Sequence, residues 1–222
     1  MRPSRAVYLR SLAVGGGTVV LMARARRRYL RWGATDEEVS MSLPGDELAA
    51  DADIRATRAI TVGAAPDLVW PWIAQLGQGR GGFYTYDVLE NLVGCDIHSA
   101  DQIHSEWQPI STGDEFRLHP EVGLLVAIVE PGRALVVRGG IPMGRVPPPY
   151  DFTWAFVVRD LPGGTTRLVV RERYGYTRWW SALLVEPVQL VSFIMSRGML
   201  RGIRQRAERA VASGPSRPRA TE

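Results

Sequence analysis

Residues 114–138, DEFRLHPEVGLLVAIVEPGRALVVR, and 152–174, FTWAFVVRDLPGGTTRLVVRERY, decide the fold. Branched and aromatic residues dominate both stretches, and their periodicity is that of strands over Asp114–Leu118, Gly123–Val129, Ala134–Arg138, Phe152–Arg159 and Thr166–Tyr174. Pro131-Gly132 and Pro162-Gly163-Gly164 read as hairpin turns. Connections this short leave no room for a crossover, so the neighbouring strands are expected to be antiparallel. A longer loop, Ile141–Tyr150, carries Pro147-Pro148-Pro149 between the third and fourth of these strands.

Upstream, Ile54–Val62 reads as another strand. Pro66-Asp67 then opens a helix whose face holds Leu68, Val69, Trp72, Ile73 and Leu76, with Pro71 expected to interrupt it. Gly77–Gly82 is a turn. Tyr84–Val93 is expected as a second short helix ended by Gly94, and Cys95–Pro109 as a polar loop. Downstream, Pro187 to Ala212 places Val188, Val191, Met195 and Met199 at helical spacing. Strand, two short helices, a run of antiparallel strands and one long C-terminal helix make an α+β layout rather than an alternating βαβ one. A bent sheet wrapped over that helix naturally leaves an apolar pocket between them.

The stretches TRAITVGAAPDLVWPWIAQLGQGRGGFYTYDVLENLVGCDIHSADQIHSEWQ, VGLLVAIVEPGRALVV, DFTWAFVV, TRLVVRERY and MLRGIRQRAE resemble the SRPBCC group, the START-like helix-grip proteins that include polyketide cyclase/dehydrase-type members. The resemblance spans roughly residues 33–210. It implies a curved antiparallel sheet gripping a long C-terminal helix around a cavity for a hydrophobic small molecule; separately, no cofactor is expected. It does not choose among lipid carriers, cyclases and other activities, because function resides in the site and not in the fold.

The 222 residues contain 27 basic side chains, every one of them Arg, against 23 acidic ones. Their distribution matters more than the net +4. Residues 1–33 carry +8, residues 34–196 carry −9 and residues 197–222 carry +5. Because the body is acidic, the basic ends do not make the chain a nucleic-acid binder. Lone Cys95 excludes an internal disulfide and cysteine-based zinc sites. The expected organisation is a basic N-terminal segment over 1–33, a polar linker or irregular cover over 34–53, a ligand-binding domain over 54–212 and a disordered tail over 213–222. Within the first segment an uncharged run, Ser11–Ala23, is flanked by Arg clusters. A membrane anchor or interfacial helix over residues 6–31, a soluble extension and a signal peptide are the readings open to it. Five Arg after the run against three before it favour a cytoplasmic domain.

Tyr86 and Glu90, four apart, are expected on one helix face, where a phenol and a carboxylate could orient a carbonyl or move a proton. His98 and His104 lie near Asp96, Asp101 and Glu106 and are further acid–base candidates, but their spacing fixes no metal geometry and no metal is expected. The Gly77–Gly82 run follows no strand and lacks the Lys-Ser/Thr of a phosphate loop. Candidate ligand-binding residues are Trp72, Tyr84, Tyr86, Glu90, Trp154, Phe156 and Met195, with the Phe152–Trp154–Phe156–Val158 face as cavity wall. Arg171 and Arg173 share one strand face and Glu172 the other, so one set must find partners inside. Three functions fit: a carrier or sequestering protein for a hydrophobic molecule, a cofactor-independent cyclase/dehydrase, or a membrane-anchored interaction module.

Overall fold

The computed structural model describes residues 20–92, 94–140 and 147–213. Most of the apolar run 11–23, the first part of the loop after the third expected strand, and the tail beyond 213 lie outside these residues. Six antiparallel strands form one sheet: β1 (Ile54–Val62), β2 (Glu115–His119), β3 (Val122–Glu130), β4 (Ala134–Gly139), β5 (Tyr150–Leu161) and β6 (Thr165–Tyr176). Their order is β1-β6-β5-β4-β3-β2, so the first strand closes the sheet against the last. Register shifts at Arg117/His119 and Val126/Ile128 interrupt the β2–β3 and β3–β4 ladders. Irregularities of this kind bend the strand that carries them.

Around the sheet stand α1 (residues 20–30), α2 (Asp36–Ser40), α3 (Pro66–Ala74), α4 (Asp87–Leu92) and α5 (Ser181–Ala212). The expected α+β helix-grip arrangement is present: α5 lies across the concave face, burying Met199, Leu200, Ile203 and Ala207 with Phe156, Leu168 and Val170. Close approach is possible because Gly202 faces the backbone of Tyr84, where an added Cβ would lie 2.1 Å from the carbonyl oxygen.

Three helix boundaries differ from expectation. Pro71 does not interrupt α3, which continues to Ala74. The amide hydrogen that Pro71 lacks would have met the carbonyl of Asp67, and because Asp67 is exposed, that lost bond does not bury an unpaired group in the core. Pro187 likewise does not start α5. The helix begins six residues earlier, where Ser181 donates to the Pro149 carbonyl and accepts from the Arg178 amide, and the carbonyl freed by Pro187 belongs to exposed Leu183. Finally, α4 starts at Asp87 rather than Tyr84. Tyr84 has φ +57°, outside the right-handed helical region, with its amide on Ser99 Oγ and its hydroxyl on the Trp72 carbonyl.

The convex face is also buried. Arg171 and Arg173 lie on this face, where segment 36–50 covers them. Arg171 donates to the carbonyls of Glu38 (2.6 Å) and Met41 (2.9 Å), to Thr57 Oγ1 and to Asp46. Arg173 reaches the Ala49 and Ala50 carbonyls, both at 2.8 Å, and Arg167 pairs with Glu38. The cover packs Leu43 and Met41 into a small second apolar cluster with Ala59, Ala134, Val157 and Val169, and these guanidinium donors add charge-assisted hydrogen bonds that fasten it.

Candidate functional site

On the concave side, strand alternation turns Phe152, Trp154 and Phe156 of β5 and Val170, Glu172 and Tyr174 of β6 toward α5. Between them and the N-terminal half of α5 lies a cavity of about 280 Å³. Its walls come from Phe152 and Trp154, from Val188, Val191, Met195 and Met199 of α5, and from Phe83 and Leu118. Thr85 and Glu90 stand at one side, and Glu172, Ser192 and Ser196 at the other. A larger concavity, about 800 Å³, is an open groove beside the C-terminal half of α5. Its charged groups are already engaged, Arg167 with Glu38, Arg204 with Glu208 and Arg201 over the Trp32 ring. The smaller cavity, apolar with a few directed polar groups, has the form of a small-molecule site.

One end of the cavity is built on a buried ion pair. Arg58, on the concave face of β1, donates Nη1 to Glu172 Oε1 at 2.6 Å, to Ser196 Oγ at 3.1 Å and to Ser192 Oγ at 3.3 Å. Its Nε reaches the Tyr29 carbonyl, and the guanidinium lies 6.0 Å from the Phe193 ring. Glu172 also accepts from Ser192, Ser196 and the Tyr174 hydroxyl. Burial, reinforced by Glu172, pushes the Tyr174 phenol well above its ordinary range. Removing either member of such a pair strands the other charge, at a cost of about 3–5 kcal/mol. Both serine protons point at Glu172, so these hydroxyls have lone pairs, not protons, left for a neighbour.

The other side is protonatable. Glu90 is 8% exposed, and burial, with Asp87 nearby, pushes its carboxyl up to about 7, only partly opposed by the Thr85 hydroxyl. Thr85 Oγ1 stands 3.4 Å from Glu90 Oε1, while Oε2 meets no partner among the described residues. The indole Nε1 of Trp154 is also buried without one. The cavity therefore contains two polar atoms with unspent hydrogen-bonding capacity, a state that costs about 1–3 kcal/mol each until something pairs with them.

Of the sequence candidates, Glu90, Trp154 and Met195 line this cavity. Phe156 lies directly behind Trp154, with ring centroids 4.7 Å apart. Trp72 and Tyr84 stack edge to face at 5.6 Å in the core, where Arg206 lies over the Tyr84 ring at 4.7 Å. Tyr86 does not share a helix face with Glu90: it precedes α4, is half exposed and packs beside Gly198. His98 and His104 are on the surface, 3.2 Å from Asp96 and 3.3 Å from Glu106 respectively, away from the cavity. Arg58, Ser192 and Ser196 were missed. The serines' four-residue spacing on α5 was a usable signal, whereas a lone Arg in a strand was not.

No family model matches the chain, and no curated protein matches it. Solved structures that resemble it include the Zhui aromatase/cyclase from Streptomyces sp. R1128, at 16% identity over 73% of this chain and 99% of that one, with a TM-score of 0.44. A Polyketide_cyc-like protein from Corynebacterium glutamicum gives 14% identity over 73% and 96%, with a TM-score of 0.41. A hypothetical protein from Helicobacter pylori gives 11% over 76% and 96%, with a TM-score of 0.48.

Proposed function

We propose that this protein binds one hydrophobic small molecule in the cavity between β5, β6 and α5, as a carrier or sequestering protein. The observation that carries the reading is the pair of unpartnered polar atoms, Trp154 Nε1 and Glu90 Oε2, in an otherwise apolar wall. A ligand that satisfies both has an apolar body and an oxygen able to accept from the indole. At the Glu172 end the serine protons are committed, and Arg58 Nη2 is a buried donor that meets no partner among the described residues. A volume near 280 Å³ sits just below the roughly 300–1,000 Å³ of ligand pockets and suits a compact ring system better than a full two-chain lipid.

A second reading, a cofactor-independent cyclase or dehydrase, is favoured by Glu90, whose carboxyl near 7 is poised for proton transfer. It ranks second because Glu172 is locked to Arg58 and Glu90 has no titratable hydrogen-bond partner among the described residues. The test is calorimetric titration of the purified chain with 2-naphthol, a fused ring bearing one hydroxyl. One saturable site per chain is expected, weakened about threefold to tenfold in Trp154→Phe, as the loss of one neutral hydrogen bond requires. Absence of saturable binding, or equal affinity in the variant, contradicts the assignment.

A further inference from the structure

The helix over the cavity is apolar on the outside as well. The α5 helix is long and apolar enough to cross a membrane, yet only 28% of its most apolar 18-residue window is buried. Leu183, Leu190 and Ile194 recur at helical spacing on its outer side, with exposures of 77%, 53% and 43%. Val191, beside them, is both exposed and part of the cavity wall. Across the cavity, α4 turns Glu90 inward and leaves Val88, Leu89 and Leu92 in water. Two helices that line the cavity thus each carry apolar side chains exposed to water.

On the opposite flank α1 runs parallel to α5. Arg26 pairs with Glu186, the Tyr29 ring lies 6.2 Å from Phe193, and Trp32 receives Arg197 and Arg201 on its face. This register carries exposed Val20, Leu21 and Met22 toward the end where α5 begins, and Trp179, just before that helix, is 91% exposed. The sequence leading into Val20 is uncharged back to Ser11. Arg24, Arg27 and Arg28 on α1, Arg178 before α5 and Arg201 farther along it are exposed at the margins, while the one acid on this part of α5, Glu186, is neutralised by Arg26.

We infer that this face, formed by the outer side of α5, the start of α1 and the exposed side of α4, docks on an anionic phospholipid bilayer, with the cavity mouth turned toward the lipid. An apolar surface with an exposed Trp and a margin of arginines matches a bilayer interface in both hydrophobicity and sign of charge. Docked in this way, an apolar ligand passes between cavity and membrane without crossing water; that consequence rests on the proposed ligand-binding function, whereas the docking itself does not.

The test uses the full chain and vesicles of phosphatidylcholine with or without 30% phosphatidylserine. The wild type is expected to sediment with the anionic vesicles, with partitioning that falls as salt rises, and Leu190→Glu/Ile194→Glu is expected to reduce it at least tenfold with unchanged thermal unfolding. An environment-sensitive fluorophore on Ile194→Cys, in a Cys95→Ser background, should shift to the blue when the anionic vesicles are added. No vesicle binding overturns the proposal. So does binding that leaves the position-194 label in water, which would place attachment elsewhere in the chain. A dimer that the double substitution dissociates, in a protein indifferent to vesicles, would assign the face to a second copy and equally overturn it.

Discussion

Glu90 owes its raised carboxyl to position: the same helix that exposes Val88, Leu89 and Leu92 turns residue 90 into an apolar cavity beside Asp87. The folded state then holds the proton more tightly than the unfolded chain, whose carboxyl titrates near its usual 4.5. The folded chain therefore binds more protons between these values, and stability falls as pH rises. The advantage is fully present below about 4.5 and lost above about 7. Urea unfolding of the wild type and Glu90→Gln across pH 4.5–8 checks this. Their stabilities should converge at the acid end, with the variant the more stable at pH 8; a difference independent of pH contradicts the assigned titration. Sequence placed Glu90 near the pocket through the right residue types but with the wrong companion. The Tyr86 pairing failed because left-handed Tyr84 delays the helix to Asp87, and a positive φ at a tyrosine leaves no trace in spacing.

At the scale of elements, the grip depends on how closely α5 approaches the segment before α4. Gly202 allows that contact, and its place in the long amphipathic pattern looks incidental until the Tyr84 carbonyl is seen opposite it. Gly202→Ala should destabilise the fold by about 1–3 kcal/mol through overpacking, despite the higher helix propensity of Ala. Chemical denaturation measures this, and a neutral or stabilising result would mean that α5 is free to shift. Strands were legible because alternation and hairpin turns are local signals, so all six appeared within about two residues of their ends. Helix starts were less so. Pro71 read as a breaker and Pro187 as a helix start, but both lie inside their helices, where the carbonyl each leaves unpaired belongs to an exposed residue.

In the whole molecule, the charged residues divide the two faces of the sheet by task. On the convex face Arg167, Arg171 and Arg173 fasten the 36–50 cover, and on the concave face Arg58 and Glu172 make one polar end of the cavity. The sequence specified that alternate residues of β6 must find opposite partners; it did not say which set faces the helix, since Arg-Glu-Arg reads the same from either side. Register decides it, through Thr57 opposite Arg171 and Trp154 opposite Glu172. The central claim is that the cavity holds an apolar ligand. Native mass spectrometry of the gently extracted full chain tests it most directly, alongside Met195→Trp, whose indole would fill much of the 280 Å³. The account predicts one bound apolar molecule per wild-type chain and none in the variant. A wild-type chain that is empty and takes up no member of a panel of lipids and aromatic polyketides, or a variant that retains the same bound mass, would contradict it.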